Sequence, residues 1–252
     1  MDLIQAALLA ALQGITEWLP ISSSGHLLIA QQLMGIEVPV AFDIVLHLGT
    51  LIAVALFFRK EIWSILKSLL EPSRLNPDFM IAVYIVIASI PTAVIGLLIG
   101  QYEGIFITGR SVALGLLASA ALLFLTKRGK GKKQLGATGA AIIGIFQGIA
   151  VAPGISRSGA TISSALLFGI KKEDAFKFSM LLSIPALIGA SAMKAGDLIS
   201  AGLLLESVVG VIVSAAVGYL AIALLKKALL SERLFLFGFY CLAVGSVALV
   251  LL

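Results

Sequence analysis

The 252-residue chain is 60% hydrophobic and only 12% charged, with a formal charge of +5. This excludes a soluble globular enzyme, because the apolar residues fall in recurring runs of about 20, the length that crosses a hydrocarbon core. One cysteine, Cys241, excludes disulfides and a cysteine-ligated metal, and the positive balance reads as basic loops on one side of a membrane, not as a nucleic-acid surface.

From the N-terminus, residues 2–34 are hydrophobic but broken by Pro, Gly and Ser. The stretch "MDLIQAALLAALQ" has no basic n-region and no small-residue cleavage site, so it is not read as a signal peptide. Each half of the broken segment is about 12–16 residues, or roughly 18–24 Å of helix, short of a core about 30 Å thick. A re-entrant helix–break–helix hairpin is expected. Irregular backbone at membrane depth survives only where protein buries it or where it lines a wet cavity, so the break belongs at an internal site. Spans are expected at 40–58, 79–100 and 110–126, a second broken hairpin at 136–169, and further spans at 175–195, 205–225 and 234–252. The fold class is thus an all-α integral membrane protein, six transmembrane helices plus two re-entrant helical hairpins, in a single membrane domain, 1–252.

This path places the loops 59–78, 127–133, 171–177 and 226–233 on one side, and they hold 15 of the 18 Lys and Arg. The other side holds only Arg110 and Lys194, and Arg157 lies inside a break. The bias makes the four loops cytoplasmic and both termini external.

An offset of 134 residues aligns Gln13-Gly14-Ile15 with Gln147-Gly148-Ile149, Ile21-Ser22 with Ile155-Ser156, and Ser24-Gly25 with Ser158-Gly159. It continues without a gap to Leu48 and Leu182. Three spans lie between the copies, so the second is turned over in the bilayer: inverted repeats of approximately 1–130 and 135–252. The copies differ at the tip. Glu17, Ser23 and His26 in the first stand opposite Val151, Arg157 and Ala160 in the second. The scaffold is duplicated and the chemistry is divided.

Each serine cluster precedes a helix whose N-terminus offers free N–H groups and about half a positive charge, which suits an anion. Arg157 adds a bidentate fork for phosphate or carboxylate oxygens. Its alternative role is a salt bridge to Glu17 that ties the hairpins together. Ser22, Ser24, Ser156 and Ser158 are helix caps as well as candidate phosphate-binding groups. His26, three residues after Ser23, is a candidate base or a hydrogen-bonded core histidine. Gln13 and Glu17 share one helix face and can hold a hard divalent cation together with substrate phosphates, with Asp43 as a further ligand.

At these residues the sequence resembles the bacterial undecaprenyl-diphosphate phosphatases, also called bacitracin-resistance proteins. The (Glu/Gln)-x-x-x-Glu pattern running on to Pro-x-Ser-Ser-x-Gly-His spans Gln13 to His26, and Pro-Gly-x-Ser-Arg-Ser-Gly-Ala-Thr spans Pro153 to Thr161. The resemblance implies release of phosphate from undecaprenyl diphosphate, recycling the lipid carrier for cell-wall synthesis and conferring bacitracin resistance. It also implies a multi-pass protein of the bacterial plasma membrane, a divalent cation (Mg²⁺ or Ca²⁺), and a site opening to the outer face. Its functional residues map onto Glu17, Ser23, His26, Ser156, Arg157 and Thr161; the first acidic position is here Gln13. The partners implied are the lipid substrate and bilayer lipid, with a homodimer left open. The expected chemistry has Ser23, deprotonated by His26, attacking the terminal phosphorus, or else His26 attacking or activating water. The competing class, on architecture alone, is a flippase or transporter of polyprenyl phosphate.

Overall fold

The computed structural model describes residues 1–101, 108–128, 131–193 and 204–251. Their regular elements are the helices α1 (Leu3–Trp18), α2 (Ser23–Met34), α3 (Val40–Phe57), α4 (Arg59–Ser68), α5 (Pro77–Gly100), α6 (Gly109–Leu125), α7 (Ala137–Ile149), α8 (Arg157–Leu167), α9 (Lys172–Met193), α10 (Leu204–Leu230) and α11 (Leu236–Leu251), with a 3₁₀ turn at Thr126–Arg128. Local chemistry sets their ends. A reciprocal Asp2–Gln5 capping box opens α1, Asn76 caps α5 ahead of Pro77 at its first turn, and Gly35 closes α2 at φ 61°.

The bilayer is the solvent. Among the described helices, α5, α9 and α10 are long and apolar enough to cross a membrane, and the bent pair α3–α4 qualifies when taken together. α5 carries exposed Val86, Ile90, Val94, Leu97 and Leu98 along its length, and α10 and α11 are similarly apolar outside. No water-facing helix would leave that much apolar surface uncovered, so the chain is a multi-pass membrane protein. α6 and α11 are shorter, at 17 and 16 residues, and rise about 24–26 Å.

Two expectations are corrected. Residues 59–78 are not all loop: past Phe58 the chain turns by 77° into α4, which carries Arg59, Lys60 and Lys67 beside exposed Trp63 and Leu66. This is the pattern of a helix lying in the membrane interface. Buried Phe58, at ring-centroid distances of 5.1 Å from Phe57 and 5.6 Å from Phe176, pins the corner. α10 also runs through to Leu230, so Lys226 and Lys227 stand on helix and not in a loop. Lys194 lies outside the described residues.

The four basic segments meet. Lys172 pairs with Glu232 at 2.5 Å, Lys177 approaches Asp78 at 3.8 Å, and Lys127 stands 3.9 Å over the Phe235 ring. The backbone of Lys133 bridges to Gly169 and Lys171. These contacts bring together parts of the four segments that the sequence assigned to one side.

Packing interlocks the two halves. α1 lies on α10, α7 on α5, α3 on both α10 and α9, and α6 on α11. Glycines set the separations: a Cβ on Gly14 would stand 2.9 Å from the Ser214 carbonyl, and one on Gly148, its counterpart in the repeat, 2.7 Å from Ile95 Cβ. A Cβ on Gly144 would meet the Ala88 carbonyl at 2.2 Å. Gly144→Ala is therefore expected to destabilise the protein by about 1–3 kcal/mol through overpacking of α7 on α5. Gly189→Ala, whose added methyl meets no atom within 4 Å, should leave the melting temperature in detergent unchanged or slightly higher.

Candidate active site

The two hairpin breaks, residues 19–22 and 150–156, are built alike. Ser22 caps α2 by accepting from Gly25 N at 3.3 Å, and Ser156 caps α8 by accepting from Gly159 N at 3.1 Å. Ser22 and Ser24 share a hydroxyl hydrogen bond of 3.3 Å, and so do Ser156 and Ser158. These pairs stand at the same 134-residue offset, so residues at matching positions in the sequence make matching hydrogen bonds. The strain differs: Ser22 itself sits at φ 70°, whereas the second break places its positive φ, 87°, at Gly154. A non-glycine residue held there costs about 1–3 kcal/mol and is typical of functional turns.

The tips touch. Gly154 N donates to Ser24 Oγ at 3.3 Å, and a Cβ on Gly159 would lie 3.3 Å from Pro20. Ser23 is the first residue of α2 and Arg157 the first of α8, so the two residues that differ between copies occupy matching helix N-termini. Backbone N–H groups in these first turns have no partner within their own helix.

Glu17 is the hub. On the last turn of α1, its Oε1 accepts from Arg157 Nη2 at 2.5 Å, and its Oε2 accepts from Ser23 Oγ at 2.7 Å and Gln13 Nε2 at 3.1 Å. The carboxylate side chain is 6% exposed and the guanidinium 15%, so each charge neutralises the other where water is scarce. The Arg157 guanidinium also lies 5.0 Å over the fully buried Trp18 ring. Its Nη1 is buried with no hydrogen-bond partner, and so is Gln13 Oε1. The site thus holds an unused donor and an unused acceptor beside a hydroxyl already aimed by a carboxylate.

His26 stands apart from this cluster. Its Nδ1 bonds the Ser22 carbonyl at 2.7 Å and its Nε2 the Tyr240 hydroxyl at 2.8 Å. Where the sequence suggested a Ser23–His26 pair, the Ser23 hydroxyl here donates to Glu17 Oε2 at 2.7 Å and both His26 ring nitrogens are bonded elsewhere. The reason is local, since the ring folds back onto the carbonyl four residues earlier and leaves only Nε2 to reach α11. Thr161 is fully buried, its hydroxyl held by the Arg157 carbonyl at 2.9 Å and by Ser179 at 2.6 Å. Ser22, Ser156 and Ser158 are likewise buried in their caps, while Ser24 is exposed. Asp43 lies in the first turn of α3, one turn before His47.

His47, given no role from sequence, is in the site: its Nε2 is 3.9 Å from Glu17 Oε2, and its Nδ1 bonds the Asp43 carbonyl at 2.7 Å. The comparison between copies could have found it, because Leu181 occupies its place in the second repeat. Trp18 carried the same signal, opposite Ala152, whereas Tyr240 lies outside the aligned stretch.

Among the described residues no group of three His, Cys, Asp or Glu side chains could hold a metal ion by itself. The orphaned Gln13 Oε1 next to the Glu17 carboxylate nevertheless fits a hard cation that takes its remaining oxygens from water and from a phosphorylated ligand.

The profile of the family described as Bacitracin resistance protein BacA matches residues 6–247. The chain is 43% identical to an undecaprenyl-diphosphatase of Korarchaeum cryptofilum (strain OPF8), with 100% of both chains covered. It is 40% identical to one of Methanosphaera stadtmanae, covering 100% of this chain and 98% of the relative, and 38% identical to one of Rubrobacter xylanophilus, covering 100% and 99%. Paired hairpin tips, divided chemistry and matches over the full length converge: this chain belongs to the bacitracin resistance protein BacA family.

Proposed function

We propose that this protein hydrolyses undecaprenyl diphosphate to undecaprenyl phosphate and inorganic phosphate, regenerating the lipid carrier for cell-wall synthesis and so conferring bacitracin resistance. The observation that carries the reading is the Arg157 guanidinium, which spends Nη2 on one oxygen of Glu17, whose other oxygen accepts from Ser23, and keeps a buried, unpartnered Nη1. A group left in that state inside a membrane protein is suited to an anionic oxygen.

The terminal phosphate binds at the N-termini of α2 and α8, held by Arg157 Nη1 and by first-turn N–H groups around Ser24 and Ser158. Ser22 and Ser156 act as the caps that keep those N–H groups in place, Ser158 steadies Ser156 through their shared hydroxyl hydrogen bond, and Thr161 steadies the first turn of α8 through the Arg157 carbonyl. Glu17 accepts the Ser23 proton along their 2.7 Å hydrogen bond, which turns the serine lone pairs toward phosphorus. The Ser23 Oγ–P bond forms, the bond from that phosphorus to the bridging oxygen breaks, and undecaprenyl phosphate leaves with the electron pair. Water then attacks the phosphoserine, giving its proton to His26 Nε2 as the Tyr240 hydroxyl gives way; the Ser23 Oγ–P bond breaks, phosphate departs, Ser23 recovers its proton from Glu17, and His26 releases its proton to solvent. A divalent cation, Mg²⁺ or Ca²⁺, would be held by Gln13, Glu17 and Asp43 together with the diphosphate, and would supply neutralisation of the phosphate charge.

The basic end of the molecule is the cytoplasmic one, both termini lie outside, and the site opens to the outer face; the clustering of the basic segments supports this orientation. Phosphate release by the purified protein from a polyprenyl diphosphate is the direct test. EDTA should abolish it and added Mg²⁺ or Ca²⁺ restore it, with Gln13→Ala raising the cation concentration needed for half-maximal rate. Undiminished release in excess chelator would remove the cation from the reaction. Movement of lipid phosphate across vesicles with no hydrolysis would remove the phosphatase reading itself.

A further inference from the structure

We propose that Tyr240 is a positioning residue for His26, fixing the tautomer and direction of its imidazole from the last helix of the fold. The inference rests on the phosphatase reading for the role of His26, and on the geometry alone for the role of Tyr240.

The argument starts from donors and acceptors. A carbonyl oxygen only accepts, so the 2.7 Å contact between His26 Nδ1 and the Ser22 carbonyl places a proton on Nδ1. In the neutral ring Nε2 then carries the lone pair, and the Tyr240 hydroxyl, 2.8 Å away, donates to it. The two rings lie nearly parallel, 10° apart with centroids at 5.5 Å, so the contact also sets the plane of the imidazole. The tautomer that leaves Nε2 proton-free is thereby fixed; its one lone pair is held by the Tyr240 hydroxyl, and it takes a proton from water once that hydroxyl gives way.

α11 is placed to do this. The neighbouring residue, Cys241, is fully buried and its thiol donates to the Pro20 carbonyl, at the tip of the first hairpin, at 3.4 Å. Two adjacent side chains of α11 therefore hold the first hairpin, Cys241 at the break and Tyr240 at the first turn of α2. Gly238 and Gly245 seat the helix against α6: a Cβ on either would come within about 3 Å of Phe124 or of the Ala113 carbonyl. The Tyr240 ring itself is 44% exposed, as an ordinary bilayer-facing tyrosine would be. That plain role needs the ring and not the hydroxyl, so removing only the hydroxyl separates the two.

The chain has two histidines, which makes the ring observable directly. In protein labelled with ring-¹⁵N histidine in detergent micelles, with His47→Gln used to assign the signals, His26 should show a pyrrole-type Nδ1 and a pyridine-type Nε2. Tyr240→Phe should move the Nε2 signal and lower kcat for phosphate release about tenfold, equivalent to about 1.4 kcal/mol. KM should stay within about twofold, and on a His26→Ala background the same substitution should change kcat by less than about twofold. A His26 protonated at Nε2 in the wild type overturns the proposal. So does a ring spectrum unchanged by Tyr240→Phe, or an equal loss of rate on both backgrounds. Because the spectrum needs no turnover, it tests Tyr240 even if the substrate assignment fails.

Discussion

Arg157→Ala is expected to lower kcat/KM for phosphate release by about 10²–10³-fold, the usual loss when one donor to a developing oxyanion is removed from a dry site. The same substitution leaves the Glu17 carboxylate buried without its 2.5 Å partner, which costs about 3–5 kcal/mol. Loss of rate and loss of fold must therefore be separated. The double variant Arg157→Ala, Glu17→Gln removes both charges and should melt closer to the wild type than Arg157→Ala does, yet remain inactive. Arg157→Lys should keep the ion pair and still lose most activity, since an ammonium cannot hold Glu17 and phosphate through a planar fork. Activity returning in the double variant would reduce Arg157 to a strut between the hairpins and remove Glu17 as the base, whereas full activity in Arg157→Lys would remove the need for a planar fork.

The second large effect is expected at Ser23. Its hydroxyl is the one group in the cluster that combines nucleophilic capacity, partial exposure and a hydrogen bond to a carboxylate. Ser23→Ala should reduce kcat by about 10³-fold or more with KM little changed, because the lost interaction exists only in the transition state. Rapid acid quench of the wild type should trap phosphate in an acid-stable ester on Ser23, and His26→Ala should let that ester accumulate. An acid-labile phosphoimidazole on His26, or full activity in Ser23→Ala, would transfer the nucleophile's role away from the serine.

Both results depend on features with different origins. Composition alone fixes a helical membrane protein, because apolar runs of bilayer length leave the backbone no other way to satisfy its hydrogen bonds. The breaks were legible because Pro, Gly and Ser interrupt helices for reasons internal to each residue. The pairing of Glu17 with Arg157 could be anticipated because copies aligned at 134 residues differ at their charged positions, and a lone charge at membrane depth requires an opposite one. α4 was missed because charged residues within 59–78 read as loop, although their spacing puts the apolar ones on one side of a helix.

Direction of side chains was beyond the reach of one-dimensional spacing. Ser23 and His26 are three residues apart, which suggested a serine–base pair, yet Ser23 turns to Glu17 and His26 to Tyr240, 214 residues away. Near neighbours in a first helical turn compete for whatever partners the packed helices bring within reach, and those partners come from α1 and α11. His47 enters the site for the same reason, carried there by the packing of α3. Sequence determined what kind of chain this is and which residues carry charge at depth; the tertiary fold decided which atoms face each other, because a hydrogen bond depends on ångström-scale distance and angle that only packed helices impose.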